Sequence, residues 1–265
     1  PVRASSPAER CATRWLESRV FALADRSFMA SPRILAVDTA TDTCSVALLL
    51  DDRVNTRSEV VGQRHSERAL SMIDALLNAA GLPLEEVDLI AFGAGPGSFT
   101  GLRIACGLAQ GLAWGIGRLV IPVGNLRALA ERVFRESAAS DRVLCAVDAR
   151  MHEAYCAIYH RDPRISEVQP PSLAKPADLA RLADEVDTVA GDALMVFPEA
   201  LQALQGKTLL PRLRADAADI AQVAATPEFL EQAVAPHLAA PLYVRDQVAS
   251  TIEQRPCRSD FTSVP

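Results

Sequence analysis

The chain has 265 residues, 49% of them hydrophobic and 23% charged, with a formal net charge of −6. That balance belongs to a globular protein of one large or two modest domains, and its acidity excludes a dedicated nucleic-acid binder, which needs a basic field. No apolar run reaches the length of a membrane span, and the six cysteines form no C-x-x-C pair, a pattern that fits a reducing cytoplasm.

Residues 1–28 mix arginines with acidic residues around Trp15, Val20 and Phe21. They are read as an N-terminal extension outside the fold, with Met29 as the natural start. The folded body opens with three strands, Ile34 to Val37, Cys44 to Leu50 and Val54 to Val61, joined by short turns that make them antiparallel neighbours. A helix from Ser66 to Ala80 carries Ala69, Ile73, Leu76, Leu77 and Ala80 on one face and stops at Gly81. Next come a strand at Leu89 to Gly93, a glycine-rich turn, a helix to Trp114, a strand at Leu119 to Val123, and a helix capped by Asn125. The order is βββαβαβα.

A second unit runs from Asp141. Strands at Asp141 to Asp148 and Glu153 to Tyr159 are followed by a third at Ile165 to Val168, then a helix from Pro176, a strand at Thr188 to Ala190, and helices at Leu194 to Leu204 and Asp216 to Ala225. The lobes are therefore read as 29–137 and 138–245, with 246–265 as a tail.

Gly93-Ala94-Gly95-Pro96-Gly97-Ser98-Phe99-Thr100-Gly101, between a strand and a helix, has the composition of an anion cradle. It is neither a Walker A loop nor a dinucleotide fingerprint, because no Lys-Ser or Lys-Thr follows and Ser98 replaces the third glycine. Ala36 to Leu48 aligns without a gap on Ala146 to Ile158: a buried strand ending in Asp38 or Asp148, a polar turn, and a second apolar strand. Two such units suggest duplicated βββαβα lobes with the acidic turns facing each other across a cleft. Simple Asx-turns are the alternative.

Ile34 to Thr41, His65-Ser66-Glu67, Gly95 to Arg103, Asp148-Ala149-Arg150, Gly191-Asp192-Ala193 and Pro241 to Arg245 resemble the TsaB (YeaZ) family. The resemblance implies an α/β, actin-like (ASKHA) fold of two RNase-H-like lobes, the second reduced. It implies a non-catalytic subunit associating with TsaD and TsaE in tRNA threonylcarbamoyladenosine (t6A) biosynthesis, or a homodimer when alone, and contact with tRNA only through the complex. Asp38, Thr39, Gly95, Gly97, Ser98, Asp148, Arg150, Gly191 and Asp192 make up the candidate nucleotide cleft, with no cofactor required and weak ATP or ADP binding at most. A small-molecule kinase or ATPase is the alternative function, weakened by Ala40 where the usual phosphate turn has glycine. A metallopeptidase is a more distant one. In the TsaD branch two histidines four apart bind a metal; here Asn125 and Leu129 stand in their places, so no metal site is expected.

The helix from Gly101 to Gly117 has only Arg103 and Gln110 as polar side chains, and Gly107, Gly111 and Gly115 recur every fourth residue. Such a ridge asks for a close helix neighbour, from this chain or from another subunit. The expected partner surface is His65, Ala69, Ile73, Leu76, Arg103, Gly107, Gln110, Gly111 and Trp114.

Overall fold

A computed structural model describes residues 31–245, so the readings of residues 1–28, of Met29 and of the 246–265 tail lie outside the described residues. In chain order the first lobe contains β1 (Ile34–Asp38), β2 (Thr43–Leu50), β3 (Arg53–Val60), α1 (His65–Ala80), β4 (Leu89–Gly95), α2 (Phe99–Ile116), β5 (Leu119–Gly124) and α3 (Asn125–Glu136). The second contains β6 (Arg142–Asp148), β7 (Ala154–Arg161), β8 (Ile165–Ala174), α4 (Pro176–Leu182), β9 (Thr188–Ala190), α5 (Ala193–Val196), α6 (Pro198–Ala203) and β10 (Thr208–Leu210). Two last helices follow, α7 (Ala217–Ala224) and α8 (Pro227–Leu230).

The first sheet has the order β3-β2-β1-β4-β5, and the second, taken from β8, the order β8-β7-β6-β9-β10. These are the same arrangement twice. In each, two antiparallel hairpin partners are followed by parallel strands on the other side of the central strand. The duplication read from the Asp38 and Asp148 segments is thus a duplication of topology, as in the actin-like fold.

The central strand β1 is buried along its whole length, which matches a continuous apolar run flanked on both sides of its sheet. On one face α1 and α2 supply Ala69, Met72, Ile73, Leu76, Ala105, Ala109 and Ala113 to a single core. The other face is covered by α7 and α8, with Ile220, Val223 and Phe229 packed on Ile34, Leu49 and Ile121. The chain therefore returns to the first lobe after building the second, and the lobe boundary near residue 138 is crossed again before α7. Between the lobes lies α3, whose Leu126, Leu129, Val133 and Phe134 pack on Val143, Cys145 and Tyr159 of the second sheet.

Three local expectations are corrected. The third strand of the second lobe runs on to Ala174 through Pro170-Pro171, which is allowed because β8 is an edge strand whose register on β7 shifts between Gln169 and Ser172, leaving both prolines outside the paired ladder. The helix expected over Leu194 to Leu204 is split at Phe197, since Pro198 removes an N–H and opens a new helix as its first residue. Asn125 is not a cap: Gly124 holds the N-cap position, and the Asn125 amide is free to bond elsewhere.

Candidate functional site

The glycine loop leaves β4 beside the Asp38 turn, and the two are docked on each other. Thr39 Oγ1 donates to the Gly101 carbonyl at 2.7 Å, and the Ser98 N–H donates to the Ala40 carbonyl at 2.7 Å. Ser98 also caps α2 by accepting the Gly101 N–H. The fit explains the glycines: a methyl at Gly101 would stand 1.9 Å from the Thr39 carbonyl oxygen, and one at Gly97 would stand 2.7 Å from the Ala40 Cβ. Ala40 and the Thr39 carbonyl of the facing turn occupy the space that side chains at these two positions would need.

Asp38 is buried beneath this contact. Its Oδ1 accepts the Asn125 amide at 3.0 Å and the Ala40 N–H at 3.2 Å, while Asn125 Oδ1 accepts the Gly95 N–H at 2.7 Å. Burial pushes the Asp38 carboxyl up to about 6, against the Asn125 and Ala40 hydrogen bonds and with the help of nearby Asp216 and Asp219. The bond to Ala40 is the Asx-type turn that sequence reasoning left open. Asn125 was visible in the sequence as a residue of interest, but its partners were not.

In the second lobe the Asp148 turn has its own closed circuit. Asp148 Oδ1 accepts the Arg150 N–H at 2.8 Å, the Arg150 guanidinium lies 3.1 Å from Oδ2, and the Asp148 N–H donates to Asp192 Oδ1 at 2.9 Å. Gly191 is pinned by the Ala146 carbonyl, 2.1 Å from where a Cβ would be. Arg150, Met151 and His152 all have positive φ and are largely exposed.

The two groups are joined by residues that the sequence did not single out. Arg214 lies 3.1 Å from Asp192 in the second lobe and 3.1 Å from Asp42 in the first. A cavity of about 60 Å³ lies where Pro96, Gly97 and Phe99 of the first lobe meet Tyr155 of the second, roofed by Tyr243 and Arg245. Ligand pockets are several hundred Å³, roughly 300–1,000. Asp38 and Asp148 do not line it. The residues expected to form a nucleotide cleft lie in two turns, one per lobe, and of them Gly97 lines this cavity. Leu129, expected from the resemblance to replace a metal-binding histidine, is packed in the interlobe core.

The expected partner surface divides in two. His65, Ala69, Ile73 and Leu76 are buried in this chain's own core, because the apolar stripe of α1 is what holds that helix to the sheet. They are corrected from interface to core residues. Gln110 is half-buried and donates to the Ala239 carbonyl at 2.9 Å. Arg103, Gly107, Gly111, Trp114 and Gly115 remain exposed along one face of α2. A methyl added at Gly107, Gly111 or Gly115 would meet nothing within 4 Å, so the neighbour of the ridge is not this chain's α1. Trp114 is 68% exposed, its indole edge-on to His237 at 6.4 Å, and Leu238 beside it and Leu70 on α1 are exposed too. Among the described residues no helix is long and apolar enough to cross a membrane.

Comparison with known proteins agrees with this architecture. Residues 50–251 match the family described as TsaD: tRNA N6-adenosine threonylcarbamoyltransferase. The chain is 38% identical over 229 residues to the tRNA threonylcarbamoyladenosine biosynthesis protein TsaB of Escherichia coli (strain K12), covering 82% of this chain and 96% of that protein. A protein of the same name from Bacillus subtilis (strain 168) is 31% identical over 159 residues, covering 58% and 67%. YeaZ from Pseudomonas aeruginosa superposes with a TM-score of 0.70 at 35% identity, covering 80% of this chain and 99% of that one. A near-full-length relative at this identity, carried on the same solved fold, establishes that the chain belongs to the TsaB (YeaZ) family.

Proposed function

We propose that this chain is a non-catalytic subunit that binds TsaD through the exposed face of α2 and acts with TsaD and TsaE in threonylcarbamoyl transfer. The acceptor is the adenosine beside the anticodon in tRNAs reading ANN codons, giving t6A. The observation that carries the reading is the bare, solvent-facing row of Gly107, Gly111 and Gly115 with Trp114 at its end. Each helix glycine costs about 1 kcal/mol against alanine, and nothing among the described residues offsets it. Close approach of a second helix would, and a large exposed tryptophan is the kind of side chain that anchors an interface.

The site chemistry supports an accessory role. The Asp38 carboxylate is committed to Asn125 and Ala40, and Asp148 to Arg150. On this reading the subunit needs no cofactor and binds ATP or ADP weakly at most. It works in the cytoplasm, pairs with a second copy of itself when alone, and meets tRNA only through the complex. An acidic chain leaves most phosphate contacts to its partner.

Size-exclusion of the chain with TsaD, alone and as Gly111→Leu, tests it. A leucine at Gly111 projects into open space, so the monomer folds while the complex is lost. Absence of a complex with the unaltered chain, or full t6A formation without this chain, overturns the reading.

A further inference from the structure

Residues Pro241 to Arg245 leave the segment packed on α2 and cross from one lobe to the other. The Leu242 N–H donates to the Ala94 carbonyl at 2.8 Å, just where β4 gives way to the glycine loop. Its own carbonyl oxygen sits 2.7 Å from where a Cβ on Gly95 would be, so only glycine admits the crossing there. Tyr243 then lies against Phe99, ring centroids 5.9 Å apart, with the Arg103 guanidinium over both rings at 3.3 and 5.7 Å. At the far end Arg245 grips the second lobe. Its Nη2 donates to Glu153 Oε2 at 2.6 Å and to the Ala149 carbonyl at 3.2 Å, and Nη1 reaches the Met151 sulfur at 2.8 Å.

We propose that Pro241 to Arg245 is a releasable strap that, seated as here, bolts the glycine loop to the Asp148 turn and closes the mouth between the lobes. Three features distinguish a strap from ordinary core. Leu242 and Tyr243 remain about half exposed, so release uncovers little apolar surface. Between Leu242 and Arg245 the attachment is made by side chains, with one main-chain bond at one end. The buried Nε of Arg245 has no acceptor among the described residues, so the grip is incomplete where it meets the second lobe. Release separates the Phe99–Tyr243 contact, empties the roof of the small cavity, and removes one of the ties that fix the lobes. The Arg214 pairs to Asp42 and Asp192 then remain as the other tie on the mouth.

Hydrogen exchange on the full chain reads this directly. The Leu242 amide is expected to be protected, yet to exchange at least about tenfold faster than β1 amides, the mark of local opening. Arg245→Gln and the reciprocal Glu153→Gln are each expected to speed exchange about tenfold at 94–102 and 149–155 while leaving β1 and β6 unchanged. A Leu242 amide as fast as a free peptide, or as slow as β1, overturns the proposal. So does an effect of the variants that is absent, or that spreads evenly through both sheets.

Discussion

Asp38→Asn isolates the energetic consequence of burying a carboxylate under the glycine loop. The Asp38 carboxyl titrates at about 6 in the fold against an ordinary 3.8, with burial as the leading cause. The folded state therefore holds a proton that the unfolded state has already lost between those values. Stability contributed by this group is complete below about pH 4, falls as pH rises, and stays lost above about pH 6. At roughly 1.4 kcal/mol per pH unit the loss amounts to about 3 kcal/mol. Asparagine keeps the oxygen that accepts from Asn125 and Ala40 and never charges.

The quantity to measure is the difference in unfolding free energy between Asp38→Asn and the unaltered chain, by urea titration at pH 4, 5, 6 and 7. Whatever asparagine costs in packing is constant with pH, so only the titration remains in the trend. The difference should move in favour of the variant by about 2–3 kcal/mol from pH 4 to pH 7, roughly a 1 M change in midpoint. Asp38→Ala should instead lose about 1–3 kcal/mol to Asp38→Asn at every pH, because the buried Asn125 amide is left without its acceptor. Parallel curves for Asp38→Asn and the unaltered chain, or a difference that moves the other way, refute the claim that Asp38 is buried at a loss.

Three further outcomes follow from the packing. Gly101→Ala forces a methyl onto the Thr39 carbonyl and should cost about 3 kcal/mol or fail to accumulate as soluble protein, read by thermal melting. Gly107→Ala adds a methyl in open space and should raise the unfolding free energy of dilute monomer by about 1 kcal/mol in urea. Arg135→Ala leaves buried Asp219 with a weaker cation shell. It should destabilise by about 2 kcal/mol at pH 7, and by less at pH 4, because burial already holds that carboxyl above its ordinary value and protonation removes the unpaired charge.

Much of the fold was legible because its signals are local. An apolar run ending in Asp is a buried strand wherever it occurs, and its recurrence at Asp38 and Asp148 foretold two lobes of one topology. What escaped was whatever depends on distant pairing. Three-residue β10 is too short to show a period and exists because it lies beside β9. The return of α7 to the first sheet leaves no trace in its own sequence, since an alanine-rich apolar stripe fits either lobe. The α1 residues were misplaced for a related reason. Ala69, Ile73 and Leu76 recur at helical spacing, and periodicity says that such a face is covered without saying by what. The cover is the chain's own sheet. Asn125 likewise looked like a cap, and only the closeness of Gly95 and Asp38 reveals what its amide does.

The glycines of one short stretch divide by what stands beside them. At Gly97 and Gly101 the space of the missing side chain is taken by Ala40 and the Thr39 carbonyl of the Asp38 turn within the same molecule. Those positions are demanded by folding, and the loop's Ser98 N–H donates to the Ala40 carbonyl of that turn. At Gly107, Gly111 and Gly115 nothing among the described residues stands within reach of a Cβ, so the packing of those residues gives no reason for them and helix stability argues against them. A sequence scan sees one glycine-rich region. The structure separates a loop whose glycines are satisfied from a helix whose glycines await contact, and it is the unsatisfied set that points outward to a partner.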